Sequence, residues 1–261
     1  MAEVLIVPTQ DEAGELVARA IADLVTARPD AVLGLATGST PLAVYRALAR
    51  IVAAEGIDVS RVRGFALDEY IGLPAAHPES YRAVITRDVV EPLGLTPELV
   101  VVPGERASGL DTAGAEYDAA IEEAGGVDVQ ILGIGRTGHI GFNEPGSSLG
   151  SGTRVKTLAA QTRADNARFF ASPDDVPIHC ITQGVGTILK ARHLFLLAFG
   201  EAKADAVQAA LEGAVTSRHP GSAVQLHPHA TVILDEAAAS RLELLEYYRY
   251  AAAHKPEWQG L

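Results

Sequence analysis

The sequence predicts an α/β fold: a single domain over residues 1–261, built on a doubly wound, mostly parallel Rossmann-like sheet flanked by helices. Three observations carry this expectation. Short apolar runs alternate with amphipathic helical stretches along the whole chain, the pattern of βαβ units. Apolar residues make up 48% and aromatics only 5%, with no linker, repeat or low-complexity tract, which suits a helix-rich domain and argues against disorder. A glycine-crowded segment at 133–145 (GIGRTGHIGFNEP) follows the apolar run 127–132 (VDVQIL), as happens where open sheets build ligand sites.

Residues 4–7 (VLIV) read as the first strand, followed by a helix over 11–27 with Leu16, Ala20 and Leu24 on its apolar face. The run 31–36 predicts a second strand. It leads through Thr37-Gly38-Ser39-Thr40-Pro41 into a helix over 42–54, with Pro41 at or near the first helical position, where its missing N–H is harmless. A third strand is expected over 62–67, ending at Asp68-Glu69. Strands over 99–102 and 127–132 bracket a helix at 113–124. A strand at 193–199, a helix over 201–211, a strand at 231–234 and a helix over 236–247 complete the series. Strands separated by helices imply parallel pairing with right-handed crossovers. That topology would bring 37–40, 68–69, 135–144 and 200–203 to one sheet edge.

The formal charge of −12 disfavours nucleic acid and anionic membrane as partners, so an anionic substrate needs its own local cluster of Arg and Lys. The single cysteine, Cys180, excludes an intrachain disulfide and fits a reducing cytosol. No 18-residue apolar run exists, and Met1-Ala2-Glu3 lacks the basic start of a secretory leader, so a cytoplasmic protein is expected.

Within 133–145, His139 precedes Glu144 by five residues. Histidine titrates near neutrality and a nearby carboxylate orients it, so an acid/base pair is available, against the plainer reading of a structural turn with a core histidine. Residues 133–138 also fit G-x-G-x-x-G. A dinucleotide fingerprint, however, needs a helix opening in the loop and an acidic residue about 20 positions on. Pro145 and Gly146 interrupt such a helix, and 153–164 holds no Asp or Glu. The hydroxyls of Thr37, Ser39 and Thr40 at a helix N-terminus form either a phosphate cradle or an ordinary cap. The turn lacks the Gly-Lys-Ser/Thr of a nucleotide-binding loop. Asp68, at the end of an apolar strand, is either a desolvated base or a structural cap.

His227-Pro228-His229 is too sparse for a metal site, and Asp174-Asp175 reads as a solvated loop. The C-terminal aromatics Tyr247, Tyr248, Tyr250 and Trp258 suggest packing or a subunit interface, with a mobile lid as the alternative.

Taken together, LGLATGSTP (33–41), LDEYIGL (67–73), HPESY (77–81), GHIGFNEP (138–145), TRVKTL (153–158) and ARFF (167–170) resemble the glucosamine-6-phosphate deaminase (isomerase) family over essentially the full length. The resemblance implies a Rossmann-like fold and a cofactor-free, metal-free isomerisation of glucosamine 6-phosphate, with release of ammonia and fructose 6-phosphate. It implies that Asp68 moves the proton between C2 and C1, and that His139, supported by Glu144, opens the sugar ring. Phosphate would be held by Thr37, Gly38, Ser39 and Thr40 with Arg168 and Lys203, and Tyr81 would lie near the sugar. One departure stands out: the family usually carries Asp or Asn where this chain has Thr137, which leaves a hydroxyl but no charge beside His139.

Some members bind N-acetylglucosamine 6-phosphate as an activator between subunits. The matching pattern here is Ser147, Arg154, Lys156, Thr157 and Tyr247. It implies a homo-oligomer, the family's best-known arrangement being a hexamer. Two other readings stand beside the deaminase. One is a 6-phosphogluconolactonase-like hydrolase, disfavoured by the complete LDEY and GHIGFNEP motifs. The other is a non-catalytic sugar-phosphate sensor, disfavoured because the acid/base residues remain and no basic DNA-binding segment is appended.

Overall fold

The computed structural model describes residues 2–74, 76–256 and 259–261. β1 (Glu3–Ile6) is followed by α1 (Gln10–Ala27), which opens where the Thr9 side chain accepts a hydrogen bond from the Glu12 N–H at 3.1 Å. The fully buried face of α1 is Ala13, Val17, Ile21 and Val25, widened by Gly14, Ala18 and Ala22. Leu16, Ala20 and Leu24 flank that face half-buried rather than forming it. The stripe is wide because α1 covers core on one side and α2 (Leu42–Glu55) on the other. Gly14 sits where a Cβ would lie 2.7 Å from the Ala43 backbone, so only glycine lets the two helices approach this closely.

β2 (Val32–Leu35), β3 (Arg63–Ala66), β5 (Val100–Val101), β6 (Val129–Gly133), β9 (His193–Ala198) and β10 (Ala230–Leu234) join β1 in a seven-stranded sheet. Its order is β1-β10-β9-β6-β2-β3-β5, and every pairing is parallel. Every residue of β2, β9 and β10 is buried, as expected for strands covered on both faces. After β2 the chain winds outward through β3 and β5. It then returns to β6 on the other side of β2 and winds the opposite way through β9 and β10. The winding reverses between β2 and β6, so a crevice opens beyond their C-terminal ends.

The third strand does not end at Asp68-Glu69 as the sequence suggests. The chain leaves the large sheet after Ala66 and enters β4 (Asp68–Tyr70), part of a second, antiparallel sheet of order β4-β8-β7. Its other members are β8 (His179–Thr182) and β7 (Arg154–Thr157), with Asp68 opposite Thr182. Two bonds make the junction: Leu67 N–H donates to the Leu35 carbonyl at 2.9 Å, and Gln183 N–H to the Leu67 carbonyl at 2.7 Å. The small sheet therefore leans over the crevice.

The remaining helices are α3 (Tyr81–Ile85), α4 (Glu91–Leu93), α5 (Ala113–Glu123), α6 (Ala160–Asn166), α7 (Val185–Ile188), α8 (Ala204–Leu211) and α9 (Leu245–Ala253). The helix expected over 201–211 is a 3₁₀ turn at Glu201–Lys203 running into α8. The helix expected over 236–247 is replaced by turns, and α9 begins only at Leu245. The turns are held locally, Ala238 N–H donating to Asp235 Oδ1 at 2.7 Å and Leu242 N–H to the Ala239 carbonyl at 2.9 Å. The Glu212 carboxylate accepts the Glu243 and Leu244 N–H groups, both at 2.8 Å, fixing the chain just before α9. Among the described residues no helix is long and apolar enough to cross a membrane.

Candidate active site

The turn after β6 carries His139. Gly135 N–H donates to the His139 carbonyl and Gly138 N–H to the Gly135 carbonyl, both at 2.9 Å, which folds the loop back on itself. Gly138 and Gly141 adopt φ of +82° and +55°, which L side chains rarely reach. The far end of the loop is pinned to β8. Phe142 N–H donates to Thr182 Oγ1 at 3.1 Å, and Asn143 Nδ2 donates to the Gln183 and Ile140 carbonyls at 2.8 and 2.9 Å.

Thr137 Oγ1 lies 3.0 Å from His139 Nδ1, and Glu144 Oε2 lies 3.6 Å from the same nitrogen. Thr162, from α6, donates its hydroxyl to Glu144 Oε1. Burial alone would raise the Glu144 pKa, but His139, Thr162 and the Ala159 backbone together hold it below its ordinary value. A charged carboxylate thus stands beside an imidazole whose Nδ1 is already engaged by a hydroxyl.

Asp68 is 6% exposed, and burial, reinforced by neighbouring Glu69, pushes its carboxyl up to about 8. A Cβ on Gly141 would sit 3.4 Å from Asp68 Oδ2, so the histidine loop passes directly over the carboxyl. Glu69 points the other way and anchors α3. Its Oε1 accepts the Tyr70 and Tyr81 N–H groups at 2.7 and 2.9 Å, and its Oε2 accepts Arg82 N–H at 2.8 Å. Tyr81, held in this way, stacks on Phe142 with ring centroids 5.8 Å apart and packs against Tyr70 at 4.9 Å. Asn166 Nδ2 donates to the Tyr70 hydroxyl at 2.8 Å.

On the other side of the crevice, Thr37-Gly38-Ser39-Thr40 opens α2, with Gly38 at φ +90° and both Gly38 and Ser39 exposed. Thr37 meets the Tyr81 hydroxyl, joining this turn to the aromatic wall. Lys203 Nζ donates to the Ile134 carbonyl at 2.7 Å. Burial lowers the Lys203 pKa, opposed by Asp165 and reinforced by Arg136 and Arg168, so three cations gather at this end. Arg168 is exposed, its guanidinium 4.7 Å above the Phe169 ring.

The structure therefore brings together Asp68, Thr137, His139, Glu144 and Tyr81, with the 37–40 turn, Arg168 and Lys203 adjoining. It does not bring the five activator-pattern residues together within one chain. Ser147 is buried and Arg154 turns inward, donating from Nη1 to Asn143 Oδ1 at 2.6 Å. Along β7, Arg154 and Lys156 are half-buried while Val155 and Thr157 are exposed, so Thr157 lies on the opposite strand face. Tyr247 is on α9, which packs against β1 at one edge of the large sheet. β7 packs against α5, whose Tyr117 hydroxyl donates to the Ala66 and Val101 carbonyls at the other edge. Trp258 lies outside the described residues. His227 Nε2–H donates to the Ala191 carbonyl at 2.7 Å, and His229 stacks on His193 with ring centroids 3.8 Å apart, which gives that motif a packing role.

Sequence reasoning missed Thr162, Asn166 and the anchoring role of Glu69. Thr162 and Asn166 sit in no motif, and Glu69, though inside LDEYIGL, shows nothing of its anchoring role there; the three reach their partners across 12 to 96 positions of chain.

Fold and site together define an open α/β protein whose switch-point crevice sets a buried aspartate and a histidine–glutamate pair beside a hydroxyl-bearing turn and a cluster of cations. The chain belongs to the glucosamine-6-phosphate isomerases/6-phosphogluconolactonase family, whose model matches residues 8–233. It is 64% identical to a glucosamine-6-phosphate deaminase of Bifidobacterium longum over 270 residues, covering all of both chains. It is 58% identical to one of Streptomyces coelicolor, covering 99% of this chain and 100% of that one. A solved structure described as a monomeric glucosamine-6-phosphate deaminase superposes with a TM-score of 0.88 at 41% identity, over 92% of this chain and 99% of that one. The 6-phosphogluconolactonase of Trypanosoma cruzi shares the fold at 19% identity, with a TM-score of 0.71 over 93% of this chain and 97% of that one.

Proposed function

We propose that this chain converts glucosamine 6-phosphate to fructose 6-phosphate and ammonia, in amino-sugar breakdown in a reducing cytoplasm. The observation that carries the reading is the Asp68 carboxyl, desolvated and roofed by the His139 loop. His139 takes the proton of the anomeric hydroxyl and returns it to the ring oxygen, opening the sugar. Glu144 and Thr137 orient the imidazole at Nδ1. Asp68 then removes the C2 proton while the C1 oxygen is protonated, giving an enolamine, and delivers that proton to C1. The resulting C2 imine adds water and expels ammonia, leaving the ketose phosphate. Each positioned acid/base contributes roughly 10²–10⁴ in rate.

Incubating the purified protein with glucosamine 6-phosphate should release ammonia and fructose 6-phosphate in equal amounts. Hydrolysis of 6-phosphogluconolactone without ammonia release from the amino sugar would favour the lactonase, and inertness toward both would favour a sensor.

Thr137 gives the imidazole a hydrogen-bond partner without charge. Thr137→Asp should stabilise imidazolium and move the titration of the His139 ring to higher pH, one unit corresponding to about 1.4 kcal/mol. NMR titration of the labelled ring measures this. An unmoved or downward-shifted titration would show that position 137 does not sense the ring's charge.

The activator reading requires a homo-oligomer, since Tyr247 and the β7 cluster occupy opposite edges of one chain. N-Acetylglucosamine 6-phosphate should then lower the half-saturating substrate concentration, with a coupling of about 1–3 kcal/mol, and Lys156→Glu should abolish the effect. Hyperbolic kinetics indifferent to the compound, from a protein that sediments as a monomer, would reject both the activator and the oligomer.

A further inference from the structure

We infer that Arg136 is a third phosphate-binding cation of this crevice, carried on the same loop as His139; this rests on the deaminase reading for its substrate but not for its anion site. Arg136 is exposed and, among the described residues, makes no hydrogen bond or ion pair, so its guanidinium is uncommitted. Its position is fixed by neighbours on both sides. Two residues earlier, the Ile134 carbonyl receives Lys203 Nζ at 2.7 Å. Three residues later comes His139, whose carbonyl accepts Gly135 N–H at 2.9 Å. The loop also meets the hydroxyl turn: a Cβ on Gly133 would lie 4.0 Å from Thr40 Cβ.

The charge on Lys203 is disfavoured by burial and by both Arg136 and Arg168, with Asp165 as the acidic neighbour in opposition. In a chain of net charge −12, three cations held close together repel one another until an anion joins them. A phosphate dianion fits, because guanidinium groups grip two oxygens at once while the ammonium acts as a point charge. The consequence is specific to this loop. Phosphate binding at Arg136 would draw on the segment that presents His139, so the anion through which the substrate is held also steadies the ring-opening group.

The test uses inorganic phosphate as the probe, measured by calorimetry and as a competitive inhibitor. Arg136→Ala should weaken phosphate and raise KM for glucosamine 6-phosphate by about tenfold or more, with Lys203→Ala as the reference loss. Arg136→Lys should recover part of the affinity that Arg136→Ala loses. If Arg136→Ala bound phosphate as tightly as wild type while Lys203→Ala did not, Arg136 would lie outside the anion site. Failure of wild type to bind phosphate at all would also overturn the inference. Phosphate binding by a wild type that releases no ammonia would instead sink the deaminase reading and leave the anion site standing.

Discussion

Asp68→Asn should reduce turnover of glucosamine 6-phosphate by 10²-fold or more while leaving phosphate affinity near that of wild type, because an amide cannot accept the C2 proton. Exchange of solvent deuterium into C1 of the product should stop, and near-normal exchange would identify another base. The carboxyl is pushed up to about 8 in the free protein, so wild-type kcat/KM should climb as pH rises through that value. The same shift has a sign for stability. Between the ordinary value of 3.8 and about 8, the folded state holds a proton that the unfolded state has released, so stability falls as pH rises across that window. Asn at 68 removes this penalty. The variant should therefore be more stable than wild type, by on the order of 2 kcal/mol or more, with the gap widest above pH 8. Denaturant titrations at pH 5 and pH 8.5 measure it, and an equal gap at both pH values would mean that Asp68 is not held protonated by the fold.

Gly135→Ala should lower kcat by roughly 10²–10⁴ with little change in affinity for phosphate. Gly135 does not lie in the left-handed region, so alanine is tolerated by the backbone. The added methyl, however, would fall on the His139 ring itself, colliding with Cε1, Nε2 and Nδ1. The imidazole must swing away and loses Thr137 and Glu144 together. Overpacking of this kind costs about 1–3 kcal/mol of stability, so the folded variant remains available for assay. Circular dichroism and phosphate binding check that it is intact. Wild-type turnover, or an unmoved ring in its crystal structure, would remove Gly135 from the list of positioning residues.

Much of the fold was legible because the signals are local. The alternation of apolar runs and helical stretches announced β2, β6, β9 and β10, since strands covered on both faces are predominantly apolar, with only isolated buried polar residues such as Gln130, His193 and Thr231. The glycines of 133–145 marked a loop whose backbone folds too tightly for side chains, and His139 and Glu144 within it are neighbours in space as well as in sequence. The helix expected over 236–247 was misplaced because its start depends on a long-range contact: Asp235 and local turns hold 236–242, and Glu212, thirty-one positions away, takes the backbone N–H of Glu243 just ahead of α9.

By itself, then, the sequence determined the parallel sheet, the crevice at its strand ends, and which residue types would meet there. Only the tertiary structure decided what those residues are in chemical terms. Asp68 and Glu69 stand side by side, yet one is desolvated under Gly141 and the other is spent capping α3, because a second sheet turns their side chains to opposite faces. Lys203 joins Arg136 and Arg168 only because the loop after β9 closes onto the Ile134 carbonyl, sixty-nine positions away. Burial and the company of other charges set protonation and affinity, and both are properties of the packed chain rather than of any stretch of sequence.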